Sequence, residues 1–215
     1  ETLAKANLET IETVYRRLFN NVGGATLTIV GNVDLETLKP MVEKYIGSIP
    51  KGKKATDWNA DNCISVANGQ IEKTVNIKMQ DPKSTVHQLY TAYLPYDIKT
   101  GVTLDVANYI LDMIYTKTIR EDEGGTYGVG TAMVGQREPE ERVVIQISFD
   151  TNPEQAPKLR ELAIKGLKEL AENGPETDKF NMAIENLKKN LPESRISNSY
   201  WAGNICSLNF ANPLA

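Results

Sequence analysis

The 215-residue chain has a single histidine, His87 in the segment VHQLYTAYL, and two cysteines, Cys63 and Cys206, which form no Cys-x-x-Cys pair. A catalytic zinc takes three protein ligands, most often histidines, and keeps a fourth position open. One histidine cannot build that site, so no self-contained metal centre is expected. The strand-like surroundings of His87 offer no nucleophile, which removes a Ser–His or Cys–His mechanism and leaves His87 a structural role. Far apart in sequence, the cysteines suit neither a disulfide framework nor a thiolate cluster and read as isolated buried or half-buried thiols.

A second group of chemically able residues is crowded into IREDEGGTYGVG. Glu121 and Glu123 suggest a pair of acid–base carboxylates, but two carboxylates on a solvated loop are ordinarily just solvated, and neither is assigned a role. Arg120 closes a helical pattern, where a cation favours the helix dipole. Tyr127 opens a strand pattern, where an aromatic ring packs well. Gly124 permits the turn between them. By themselves these residues read as structure.

The elements around them follow from periodicity. Leu8, Ile11, Tyr15 and Leu18 recur at helical spacing, Gly23-Gly24 stops that helix, and ATLTIVG reads as a short buried strand ending at Gly31. Asp34 is the expected N-cap of a helix carrying Leu38, Met41, Val42, Tyr45 and Ile46, with Gly47 at its end. These pieces make residues 1–50 a helix-strand-helix entry. Residues 51–69, rich in Lys, Asp, Asn and Gly, read as a surface connection. Residues 70–150 read as a sheet with a helix: alternating segments at 71–79 and 86–94 as neighbouring antiparallel strands, a helix over 101–119, and a hairpin of strands at 127–133 and 143–149. Residues 151–215 read as helices, over 154–172, 177–191 and 194–210, with Asn173-Gly174-Pro175 as punctuation. Helices laid on one face of a largely antiparallel sheet define an α+β domain.

With 24 Lys plus Arg against 28 Asp plus Glu, a net charge of -4 gives no basic stripe for phosphates, so no nucleic-acid partner is expected. No apolar run approaches the roughly 20 residues that cross a bilayer, and the opening residues do not read as a leader, so no membrane role is expected either. Opening on Glu1 inside a helical pattern, the chain reads as a fragment of a longer one.

The stretch TLTIVGNVDLETLKPMVEKYIGSIP, the helix ending IREDEGGTYGVG and the helical LKELAENGPETDKFNMAIENLKKNL together resemble the carboxyl-terminal-type domain of the pitrilysin, insulin-degrading enzyme and mitochondrial processing peptidase family of zinc peptidases. The resemblance covers nearly the whole chain, and the order and spacing of the segments carry it. Its most specific element is Arg120-Glu121-x-x-Gly124-x-x-Tyr127, which departs from the family only at Gly125, where Leu is usual; that departure is expected to loosen the turn. Gly31-Asn32-Val33-Asp34 matches the family's post-strand pattern, and Asn198-x-x-Trp201 is similar to a pattern near the end of two-halved bacterial members.

The resemblance implies that zinc belongs to an inverted His-x-x-Glu-His helix on an amino-terminal homologous domain, with no cofactor in this chain. That zinc-bearing homologous half, in cis or in trans, and unfolded peptides are the implied partners. This chain alone is expected to be inactive, and bacterial relatives suggest a periplasmic compartment. Arg120 and Tyr127 would face the substrate: a guanidinium presents fixed donors to a carbonyl, and a tyrosine hydroxyl can donate to an oxygen that gains negative charge. Free edge strands would let a peptide add to the sheet, at the strand led by Tyr127 or at its neighbour over 143–149. The alternative is a non-catalytic scaffold or partner subunit of the same fold.

Overall fold

The computed structural model describes residues 3, 6–52, 67–137 and 140–211. Cys63 and most of the 51–69 connection lie outside the described residues. The chain divides into two compact units, Glu1–Asn59 with Leu191–Ala215, and Ala60–Asn190.

Among its described residues the first unit holds three helices, α1 (Leu8–Phe19), α2 (Leu35–Tyr45) and α6 (Asn198–Ala211). Asp34 caps α2 as expected, its carboxylate accepting from the Glu36 and Thr37 amides at 3.3 and 3.2 Å and from the Thr37 hydroxyl at 2.6 Å. These bonds hold the Asp34 carboxyl below the usual carboxylate range. Residues 25–31 are not a buried strand: no strand among the described residues pairs with them, and Leu27 and Ile29 are exposed. Apolar alternation creates a candidate strand, but only a neighbouring ladder can satisfy its amides and carbonyls. Cys206 is a free thiol on the exposed surface of α6 rather than a buried one.

The second unit is built on a three-stranded antiparallel sheet, β1 (Ser84–Tyr93), β2 (Gly130–Gln136) and β3 (Arg142–Thr151), in the order β1-β3-β2. The hairpin of β2 and β3 forms as the sequence indicates, with Gly130 opposite Ser148 and Gln136 opposite Arg142. The expected pairing of 71–79 with 86–94 does not occur. β1 pairs with β3 instead, and Ile71, Val75 and Ile77 are exposed and outside any ladder. Alternation assigns residues to faces, not strands to partners.

One face of the sheet carries the core. Met133, Ile147 and Phe149 pack on Leu111, Tyr115 and Ile119 of the long helical run and on Leu159 and Ala163 of α4 (Ala156–Asn173). The Tyr115 hydroxyl donates to the Ala163 carbonyl at 2.6 Å, and Gly166 leaves room for its ring, since a Cβ there would stand 2.8 Å from Cε1. Burial pushes the Tyr115 phenol well above its ordinary pKa. On its other side α3 (Ile98–Tyr115) buries Val106 and Ile110 against Ala183 of α5 (Thr177–Ser194). Asp97 starts α3 by accepting from the Thr100 amide at 2.6 Å, and Gly174, at φ 69°, ends α4. No described helix is long and apolar enough to cross a membrane.

Candidate functional site

α3 does not end as an α-helix. It tightens into nothing like a 3₁₀ turn but widens into a π-helical stretch over Thr116–Glu121, closed by the Asp122 amide bonding the Lys117 carbonyl at 2.9 Å. Such widened turns are frequent at functional sites. Within it Ile119 is fully buried while Arg120 is exposed, and no described residue engages the Arg120 guanidinium.

The turn after it is anchored at successive points. The Gly124 amide donates to the Arg120 carbonyl at 3.1 Å, and Gly124 sits at φ 59°, a left-handed conformation that suits glycine. Glu123 pairs with Lys158 of α4. Thr151 Oγ1 of β3 donates to the Gly125 carbonyl at 2.6 Å.

Gly125 therefore does not loosen the turn. It is buried, and a Cβ at that position would lie 2.7 Å from Leu159 Cδ1 and 2.9 Å from Gln155 Oε1. α4 occupies the space in which the family's usual Leu would stand.

Tyr127 precedes the sheet instead of leading a strand, because Thr126 closes a local turn: its hydroxyl donates to the Gly128 carbonyl at 2.9 Å and accepts from the Gly128 amide at 3.3 Å. β2 starts only at Gly130. The Tyr127 ring is fully exposed and its hydroxyl has no partner among the described residues.

Tyr127 forms one wall of an open groove of about 410 Å³, shared with Thr85 and His87 of β1, Thr126 and Gly128 of the turn, and Ser148, Phe149 and Asp150 of β3. Arg120 is not among the residues lining it. His87 is thus not a packed core histidine: Val86, Gln88 and Tyr90 point into the unit, which turns His87 outward with Thr85 and Leu89. Ser148, which stands directly opposite His87, is the neighbour that the local sequence of His87 did not contain. The alternation in IQISFD places Ser148 on the outer face, but nothing local specifies the register that brings the two together.

Asp150 closes the groove. It accepts from Thr85 Oγ1 at 2.5 Å and pairs with Lys83 at 3.2 Å; these contacts, together with the charge of His87, hold its carboxyl below the usual range. His87 and Asp150 amount to two candidate metal ligands, one already engaged, where a catalytic zinc needs three. No cluster of three or more His, Cys, Asp or Glu suited to a metal exists among the described residues. The residues present do not fit a zinc site.

Residues 5–187 match the peptidase M16 inactive domain, and the chain belongs to that family. It is 26% identical over 180 residues to the probable zinc protease PqqL of Escherichia coli (strain K12), covering 82% of this chain and 19% of that protein. It is 22% identical over 203 residues to a zinc protease PQQL-like protein of Arabidopsis thaliana, covering 89% of this chain and 21% of that one. The chain thus spans about a fifth of the length of these curated relatives.

The solved structures agree on the fold. The periplasmic protease PqqL from Escherichia coli superimposes with a TM-score of 0.63 at 21% identity, over 83% of this chain and 20% of that one. A peptidase M16 inactive domain from Pseudomonas fluorescens superimposes with a TM-score of 0.65 at 17% identity, over 97% of this chain and 48% of that one. The α+β architecture is therefore shared with these structures, and by the family match the chain is an M16 inactive domain of a zinc-peptidase family, in which zinc belongs to the catalytic domain.

Proposed function

We propose that this chain is the substrate-binding half of a zinc metallopeptidase that cleaves unfolded peptides in a closed chamber, assisting a zinc site carried by a homologous half in cis or in trans. One observation carries the reading: Arg120 and Tyr127 stand exposed and unengaged at the two ends of a turn anchored by Thr151 and Lys158. Donors held ready without internal partners suit a ligand that arrives from outside, whereas a scaffold has no use for them. Arg120 clamps a peptide carbonyl. Tyr127 donates from its hydroxyl to the carbonyl oxygen on which negative charge gathers during cleavage, an interaction strongest where water is excluded. One peptidase-family domain spanning residues 1–215 accommodates this role, and its match to about a fifth of the curated relatives leaves ample chain for the other half.

The test is Tyr127→Phe in the protease reconstituted with the zinc-bearing half. The ring is retained and only a solvent-exposed hydroxyl is lost, so the fold survives. Loss of one preorganised donor lowers kcat by about 10²–10³ with a smaller change in KM. Arg120→Ala raises KM as well as lowering kcat, because a carbonyl clamp acts in the ground state too. Wild-type kcat and KM in the folded Tyr127→Phe protein would remove Tyr127 from this role.

A further inference from the structure

The groove beside Tyr127 has an uneven complement of polar groups. The hydroxyls of Thr85 and Thr126 are committed, to Asp150 and to the Gly128 carbonyl respectively. The one carboxylate, Asp150, is occupied by Thr85 and compensated by Lys83. Three groups have no hydrogen-bond partner among the described residues: the His87 imidazole, the Ser148 hydroxyl and the Tyr127 hydroxyl. Each of the three can donate a hydrogen bond.

Their placement is set by the sheet. His87 on β1, Ser148 on β3 and Gly130 on β2 form one row across the outer face. Glycine at the end of that row adds no side chain to the face, although a Cβ at position 130 would lie only in ordinary van der Waals contact, 3.4 Å from Ser148 Oγ. A groove with three uncommitted donors, whose one carboxylate is already bonded to Thr85 and paired with Lys83, suits a ligand rich in acceptors, and a carboxylate accepts most strongly. Charge-assisted hydrogen bonds of this kind are the strong ones.

We infer that the groove is a carboxylate subsite in which His87 and Ser148 receive an acidic group of the bound peptide next to Tyr127. The inference rests on the peptide-binding reading above for the nature of the ligand and adds what the site selects. A carboxylate can come from a Glu side chain or from a free peptide carboxyl terminus, and both present the same two oxygens.

His87 is the only histidine, so its imidazole signals in a ¹H–¹³C spectrum of the 215-residue chain need no assignment. Four acetylated peptides are titrated as two pairs: acetyl-Ala-Ala-Glu-Ala-Ala-amide and its Gln counterpart, and acetyl-pentaalanine with a free and with an amidated carboxyl terminus. The expected result is saturable movement of the imidazole signals, with a carboxylate peptide binding about tenfold more tightly than its amide partner, equivalent to about 1.4 kcal/mol. A Glu–Gln difference identifies the side chain as the source, and an acid–amide difference at the terminus identifies the chain end.

His87→Gln and Ser148→Ala, followed through the amides of Gly128 and Asp150, are each expected to weaken carboxylate binding about three- to tenfold. Equal affinities for acid and amide in both pairs would overturn the inference. So would movement of amides along β2 with the His87 signals unmoved, an outcome that leaves peptide binding intact. Absence of any perturbation would overturn both readings.

Discussion

The two faces of the β1-β3-β2 sheet are made by the same strands and share no chemistry. Towards the helices stand Ile147, Phe149 and Met133, closed off by Tyr115, Ile119 and Leu159. Away from them stand His87, Ser148 and Asp150, open to a groove. A period of two lets adjacent residues serve opposite ends, so Ile147 belongs to stability and Ser148 to recognition. The turn over residues 122–128 joins the two. It is fastened to the packed side through Thr151 and α4, and it delivers Tyr127 to the open side.

If that division holds, substitutions at the inner face act on melting and leave peptide binding to the folded fraction alone. The largest effect is expected from Ile147→Ala, which empties a fully buried site and costs about 2–5 kcal/mol, measurable as a lower midpoint in urea. A loss below 1 kcal/mol would mean that the inner face is not the packed one.

Next is Gly125→Leu, which installs the family's usual residue. With Leu159 Cδ1 2.7 Å from the new Cβ, overpacking is expected to cost about 1–3 kcal/mol and to displace α4 or the turn. Unchanged stability would show that α4 yields easily. Gly124→Ala is expected to cost about 1–2 kcal/mol for a side chain at φ 59°, although open space surrounds the position. A full loss of the Tyr127-dependent activity at that modest cost would show how closely the turn geometry governs the open side.

The pH dependence sharpens the contrast further. Folding lowers the pKa of Asp150 and of the two helix caps Asp34 and Asp97, so the unfolded chain takes up their protons first. Their contribution is complete above the ordinary aspartate value of about 3.9 and is lost as pH falls from there through the lower folded values. Melting between pH 5 and pH 2 checks this, and Asp150→Asn is expected to flatten part of the decline. The smallest effect is expected at His87. His87→Gln on the open face should leave stability within about 0.5 kcal/mol of wild type while weakening carboxylate binding, so a large drop in melting temperature would return His87 to a packing role.

The helices α3, α4 and α5 were legible in the sequence because their apolar residues recur at helical spacing, and Asn173-Gly174-Pro175 marked the break between the last two; the Asp97 cap that starts α3 three residues before the expected position was not read from the sequence. The β2–β3 hairpin was legible because its strands are close in sequence. Residues 25–31 and 71–79 carried the same alternation and formed no ladder, since alternation states which residues share a face and is silent about a partner. Arg120, Gly124 and Tyr127 could be singled out from their order in one short motif.

Beyond that, the tertiary structure decided. It placed Gly125 under α4, where its missing side chain admits Leu159, and it brought His87 and Ser148 face to face across β1 and β3. Helix periodicity and capping are short-range, acting within a turn or two of the chain. Register and close packing are sums over residues distant in sequence, so the groove, unlike the helices beneath it, exists only once the whole sheet has formed.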